Sequence, residues 1–307
     1  MRVAIATFAS MPPEFTDDER LADAIGALGA SVSRVPWDHA ETDWASFDAV
    51  VIRSTWDYAR RHDEFVAWAE SVGTRLHNSP EVIRWNTDKH YMGDLEGAGL
   101  PVVHTEYVAP GEPAPVLDAE VVVKPTISAG AKDSGRFSER AHDDAQALIE
   151  RIHRSGRTVM VQPYQASVDS TGETAIVCLD GEPSHVLRKA AVLRPDEVAP
   201  VRDDAVGAAE VMYDPELVVA GEATEAEFEL AREVVDHVSG RFDYVPLYAR
   251  VDMVAGPEGS PVLMELEAVE PNLYLDQAPG SAERVAEAIA ARAAQSRRPV
   301  QRPGVPG

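Results

Sequence analysis

Apolar residues in the first third of the chain fall into short blocks separated by a segment of helical spacing. Blocks at 2–7, 31–35 and 48–52 predict strands, and the pattern at 17–28 predicts a helix, which together make an α/β unit. Thr16 and Glu19 form an S/T-x-x-E capping box before that helix, and Gly29 follows its last apolar turn, so both ends are signalled. The third strand runs into Arg53, Ser54, Thr55, Trp56, Asp57 and Tyr58. Ligands of open α/β sheets bind beyond such carboxyl ends, which makes these six residues candidates for substrate recognition. Packing of the aromatics between subdomains is the alternative.

A second unit begins near Asn86, with Thr87 placed to cap a helix running to about Glu96 and closed by Gly97, Gly99 and Pro101. Strands are predicted near 102–108, 120–124 and 158–162, a helix near 141–153, and a small-residue loop at 126–136. The remainder reads as strands near 174–180 and 184–189, a helix at 224–238, a hairpin at 246–269 and a last helix at 281–295. The stretch 295–307, with three Pro and three Arg, reads as disordered. The expected division is 1–86 as an N-terminal α/β unit, 87–164 as a central unit, 165–295 as a C-terminal unit and 296–307 as a tail.

Composition narrows the function. The 307 residues carry a net charge of -24, which disfavours docking on a nucleic acid backbone but leaves room for a local basic cleft that holds one triphosphate. No apolar stretch approaches the roughly 18 residues that span a bilayer, and no export signal is visible, so a cytoplasmic protein is expected. The single cysteine, Cys178, sits in an apolar run and reads as a packed core thiol. Gly130 and Gly135 have P-loop spacing, but Arg136 and Phe137 stand where Lys and Ser/Thr are needed. Zinc-protease, esterase and C-x-x-C redox motifs are absent from the sequence.

The sharpest signal is the hairpin. Leu247, Ala249, Val251 and Met253 alternate onto one face with Val262, Met264 and Leu266, while Arg250, Asp252, Glu265 and Glu267 take the other. A short turn at 256–261 sets Asp252 opposite Glu265 and Arg250 opposite Glu267. Like charges so placed cost up to about 1 kcal/mol when exposed and more when buried, and a hard divalent cation such as Mg²⁺ offsets them. An exposed polar face with incidental ion pairs is the competing reading, and a one-residue slip of register would favour it.

Lys124 emerges at the end of an apolar strand beside the loop containing Ser128 and Gly130, where a lysine can neutralise phosphate and the loop amides can fold over it. Lys89 lies early in its predicted helix. Gln162, Pro163 and Tyr164 follow another apolar strand, as a linker or as hydrogen-bonding partners of an adenine edge. Glu173 is placed to accept from ribose hydroxyls, and Arg188 with Lys189 ends a strand within reach of a triphosphate.

Taken in order along nearly the whole chain, these pieces resemble the ATP-grasp superfamily. The resemblance implies an N-terminal α/β pre-ATP-grasp domain and two α+β subdomains gripping ATP. It gives Lys89 and Lys124 to the phosphates, residues 128–136 to the covering loop, Gln162, Pro163 and Tyr164 to the adenine hinge and Glu173 to the ribose. It further implies Mg²⁺, with Mn²⁺ as a substitute, on Asp252, Glu265 and Glu267, and Arg250 at an acyl phosphate. The third metal position is usually Asn in this superfamily, and Glu267 departs from it. The run from Arg53 to Tyr58, together with Glu265, Leu266, Glu267, Ala268, Val269, Glu270 and Pro271, looks most like the O-ureido-serine cyclo-ligase group of antibiotic biosynthesis. The activity implied by the resemblance is an ATP-dependent ligation of a small carboxylate to an amine nitrogen, with Arg250 and Lys124 catalytic and Asn272 and Tyr274 completing the substrate pocket. A homodimer is compatible with that architecture. A non-catalytic ATP-binding regulator and a small-molecule kinase are the alternatives.

Overall fold

Alternation along one strand organises the N-terminal part. Val3 and Ile5 of β1 (Arg2–Thr7) point to one side, and Ala4 and Ala6 point to the other. The computed structural model describes residues 1–10, 17–201, 208–214 and 216–296. Within them, β1 pairs in parallel with β2 (Ser31–Pro36) and β3 (Ala49–Ile52), and β3 pairs with the short β4 (Leu76–His77), in the order β2-β1-β3-β4. Leu21 and Ile25 of α1 (Asp17–Ala27) cover the first side. Phe65, Trp68 and Ala69 of α2 (His62–Val72) cover the other. There Phe65 stacks on Tyr58 at 5.1 Å and on Trp68 at 5.3 Å between ring centres.

The expected helix at 87–96 is two short helices, α3 (Pro80–Asn86) and α4 (Tyr91–Gly97). The start lies upstream because Ser79 accepts from the Val82 amide and Pro80 needs no intrahelical partner, so Thr87 ends α3 instead of opening a helix. The expected strand at 102–108 is confined to β5 (Glu106–Val108), with Val102 making a single bridge to Leu263.

The middle sheet is antiparallel, built from β5, β6 (Val121–Pro125), β7 (Gly135–Phe137), β8 (Val159–Pro163) and β11 (Glu197–Val198) in the order β11-β7-β6-β8-β5. Val121, Val123, Val159 and Val161 pack on Leu148, Ile149 and Ile152 of α5 (His142–Arg154). Period two then sends Lys124 and Gln162 to the opposite face.

The last sheet, also antiparallel, runs β12-β10-β9-β13-β14, from β9 (Glu173–Leu179), β10 (Glu182–Lys189), β12 (Val218–Ala220), β13 (Tyr248–Ala255) and β14 (Pro261–Glu267). A short α6 (Ser167–Thr171) leads into β9. Ile176, Cys178, Ala249, Val251 and Met253 bury one face under α7 (Glu225–Phe242), capped by a Thr224–Glu227 box. Cys178 is the packed thiol expected, its pKa pushed up to about 12 by burial.

The hairpin register sets Asp252 opposite Glu265 and Arg250 opposite Glu267, as the alternation predicts. A bulge after Asp252 then changes the apolar face, because Met253 pairs with Leu263. Leu263 and Leu266 therefore enter the core beneath α7. Val262 and Met264 join a separate cluster with Val103, Val168 and Val254.

The final helix α8 (Ser281–Ser296) packs on α1 and β3, placing Val285, Ala286 and Ile289 against the first sheet, while Arg284 and Arg292 bind Ser184, Asp180 and the Val245 carbonyl of the C-terminal unit. Gln295 belongs to this helix and not to a disordered tail. Thr16 of the expected capping box and residues 297–307 lie outside the described residues. No described helix is long and apolar enough to cross a membrane.

Candidate active site

The polar faces of the two antiparallel sheets meet across a cavity of about 240 Å³. Lys124, Gln162 and Pro163 reach it from the middle sheet, and Glu173, Lys189, Arg250, Glu265 and Glu267 from the last one. Lys89, Ser128, Gly130, Tyr164 and Asn272 also line it, as do Trp56 and Tyr58 from the segment after β3.

Asp252 is fully buried, and its two oxygens are divided between cations. Arg250 donates through Nε to Oδ1 at 2.8 Å and through Nη2 to Oδ2 at 2.9 Å, and Lys189 donates to Oδ2 at 2.7 Å. Burial opposes the charge, but Arg250 and Lys189 overcome it and hold this carboxyl well below the usual range. Lys189 also donates to Glu173 at 2.8 Å, and despite burial the two carboxylates keep it well above an ordinary lysine. Arg250 reaches on to Glu267 and to the Asn272 carbonyl, and its guanidinium lies 5.6 Å from the Tyr274 ring centre.

Glu265 is held at about 2, burial being outweighed by Lys89 and Lys124. Lys89 stands 3.3 Å from it and donates to the Ser128 carbonyl at 3.1 Å, so one side chain ties the carboxylates to the loop. Lys89 itself is fixed between helices, its amide donating to the Thr126 carbonyl and its carbonyl accepting from the Tyr107 hydroxyl. Burial lowers Lys124, with Glu265 opposing. Glu267 moves upward, first through burial and then through Glu265 and Asp252, with Arg250 opposing. Asp252, Glu265 and Glu267 offer oxygens that all lie within 4.8 Å of one another.

The supports are buried amides. Asn86 accepts from the Ala268 amide at 2.6 Å and donates to the Leu266 carbonyl at 2.9 Å, clamping the backbone on both sides of Glu267. The Leu266 amide donates to the Tyr91 hydroxyl at 3.0 Å. Asn78 binds the Leu247 amide and the Tyr248 and Ala268 carbonyls, and the Tyr248 hydroxyl donates to Ile52 O at 2.6 Å. Gly130, at φ +63°, packs so close to Ala208 that an added Cβ would lie 2.7 Å from the alanine Cβ.

Several expected contributors lie elsewhere. Arg188 turns to the α7 side of its sheet, donating to Thr174 Oγ1 and the Glu222 carbonyl, because it is one residue out of phase with Lys189. Lys189 is the inward cation, and strand alternation counted from Glu173 was the signal that selects it. Arg53 is buried behind the cavity, 3.8 Å from Asp18 and over the Tyr248 ring. Ser54 donates to the same Asp18, Thr55 is fully buried, and Asp57 accepts from Trp37 Nε1 at 2.9 Å. Of the six residues after β3, Trp56 and Tyr58 face the cavity.

Two antiparallel sheets gripping a cavity, with a parallel α/β domain at the side, define the ATP-grasp ligases. D-alanine–D-alanine ligase from Bacillus anthracis, complexed with ATP, shares this fold at a TM-score of 0.66 over 96% of this chain and 98% of that one, with 13% identity. A nearer relation appears in sequence. The cycloserine biosynthesis protein DcsG of Streptomyces lavendulae is 35% identical over 302 residues, covering 94% of this chain and 98% of that protein. The crystal structure of D-cycloserine synthetase DcsG matches with a TM-score of 0.83 and 32% identity over 95% of this chain and 100% of that one. The family described as D-cycloserine synthetase DcsG, N-terminal domain, matches residues 3–78. The chain belongs to the D-cycloserine synthetase DcsG family, and it is an ATP-dependent ligase that joins a carboxylate to an amine.

Proposed function

We propose that the chain activates the carboxylate of an O-ureido-serine-type substrate as an acyl phosphate, on which a nitrogen of the same molecule closes a ring. The observation that carries this reading is the convergence of Asp252, Glu265 and Glu267 within one cluster, Asp252 buried and the two glutamates partly so, that also holds Lys89, Lys189 and Arg250. Three carboxylate oxygens at that spacing suit Mg²⁺, a hard cation that prefers oxygen ligands, and Mn²⁺ is a fitting substitute. When bound there with ATP, the ion would neutralise phosphate oxygens during transfer.

The remaining work falls to the side chains of the chain. Lys89 and Lys124 neutralise phosphate charge, and the loop carrying Ser128 and Gly130 covers it. Gln162, Pro163 and Tyr164 flank the adenine, and Glu173 accepts from the ribose. Arg250, rigidly forked on Asp252, presents its one uncommitted N–H and its positive charge to the activated acyl group. Trp56, Tyr58 and Asn272 shape the substrate end, and Arg53, Ser54, Thr55 and Asp57 support it from behind. Residues 1–86, 87–164 and 165–295 serve as the substrate, central and metal-bearing units, with α8 reaching back onto the first.

Release of ADP and phosphate is expected to depend on O-ureido-serine and on Mg²⁺, with a cyclised product seen by mass spectrometry. ADP formed without any cyclised or amide product would identify a kinase instead and overturn the ligase step.

A further inference from the structure

Each carboxylate clustered at the cavity wall or just behind it has a cation. Glu173 has Lys189, Asp252 has Arg250 and Lys189, Glu265 has Lys89, and Glu267 has Arg250. Glu270 also lines the cavity, three residues beyond Glu267, yet no described Lys, Arg or His lies within ion-pair distance of it. Beside it in the cavity stands buried Tyr58, whose proximity opposes the upward shift of the carboxyl, and Tyr58 is locked by stacking on Phe65. Val269, the residue before it, sits in the aromatic core of the N-terminal domain, which fixes Glu270 on the side of the cavity nearest that domain.

We infer that Glu270, oriented by Tyr58, binds the ammonium group of an amino-acid substrate and makes the enzyme select α-amino carboxylates over plain ones. The inference rests on the ligase reading above and names the part of the substrate that this carboxyl recognises. A half-buried carboxylate without a cation is costly. Burial, followed by the nearby charge of Glu267, pushes Glu270 up to about 8, and an incoming ammonium supplies the missing counter-charge. Asp252, Glu265 and Glu267 form the oxygen cluster suited to a metal, and Glu270 lies outside it. With the Tyr58 hydroxyl at its side, the carboxyl keeps acceptor capacity for a donor from the cavity.

The test compares O-ureido-serine with its des-amino analogue, 3-ureidooxypropanoate, by substrate-dependent phosphate release. The wild type is expected to favour the amino compound in kcat/KM by roughly 10- to 100-fold, the range expected of a charge-assisted hydrogen bond. Glu270→Gln, which keeps the shape and removes the charge, is expected to collapse that ratio mainly through KM. Tyr58→Phe keeps the ring stack and is expected to narrow it. A wild type that uses both compounds equally well overturns the inference without recourse to any variant. A Glu270→Gln enzyme that discriminates like the wild type also overturns it, while leaving the ligase reading intact. A wild type that releases phosphate with neither compound sinks the ligase reading and this inference together.

Discussion

Lys189 donates to Asp252 at 2.7 Å from the end of β10, and this one contact joins the two halves of the last sheet's polar face. The same ammonium holds Glu173, the first residue of β9. Gly172 makes the approach possible, because at φ +70° it brings its Cα so near the Lys189 carbonyl that an added Cβ would lie 2.4 Å from that oxygen. Replacing Lys189 by Met strands two buried carboxylates, of which only Asp252 retains a second cation. Breaking a buried pair by removing one partner costs about 3–5 kcal/mol. Lys189→Met is therefore expected to lower unfolding stability by about 3 kcal/mol in urea, with part of the loss recovered on adding MgCl₂. A variant as stable as the wild type in metal-free buffer would show that Lys189 is not needed to balance these charges.

Glu265→Gln is a cleaner probe of the metal cluster than Asp252→Asn. Asp252 is the counter-ion of two buried cations, so neutralising it disturbs the fold along with the site. Glu265 is one-quarter exposed and pairs with Lys89 at 3.3 Å, so its amide keeps volume and shape at modest cost. Glu265→Gln is expected to lose at least about 100-fold in ADP release, in line with loss of a metal ligand, while its melting temperature stays within a few degrees of the wild type. Near-normal turnover in this variant would remove the metal site from the mechanism.

Asn86→Ala tests the clamp. It leaves the Leu266 carbonyl and the Ala268 amide without the side chain that satisfies both, and each orphaned buried group costs about 1–3 kcal/mol. The expected result is a loss of about 3 kcal/mol in stability and a fall in kcat, because Glu265 and Glu267 flank the released carbonyl. Denaturant titration and steady-state kinetics together check it. A loss of stability with unchanged kcat would mean that the hairpin holds its shape without Asn86.

Much of this site was legible as strand alternation. The pairs Asp252–Glu265 and Arg250–Glu267 follow from counting by twos across a short turn. The bulge after Asp252 was not legible, because the insertion satisfies Val103 and Val168, which come from distant parts of the chain. Asn78 and Asn86 escaped notice for the same reason: each bonds backbone groups more than 160 residues away, and no local pattern announces such partners. Nor does local pattern say that α8 packs on α1, since its apolar stripe would suit either sheet. The segment from Arg53 to Tyr58 was recognisable as a cluster, but which members face inward depends on the turn after β3. That turn sends Tyr58 to Phe65 and the cavity and Asp57 to Trp37.

His77 gives the fold a pH dependence of definite sign. It is buried at the end of β4, with Nδ1 paired to the Tyr244 hydroxyl at 3.0 Å and Nε2 without a hydrogen-bond partner among the described residues. Burial, helped by Arg292, lowers it from 6.5 to about 4. The folded state therefore keeps the ring neutral in a range where the unfolded chain takes up a proton. Stability is complete above about pH 6.5 and is lost as the pH falls toward 4, by up to about 3 kcal/mol from this group. His185 moves in the same direction and Glu270 in the opposite one, so the measurement is the difference between wild type and His77→Gln. Urea unfolding at pH 7.5, 6 and 5 is expected to show the wild type losing stability faster than the variant as acid is added. Parallel curves for the two proteins would mean that His77 titrates alike folded and unfolded, and that its burial does not exclude the proton.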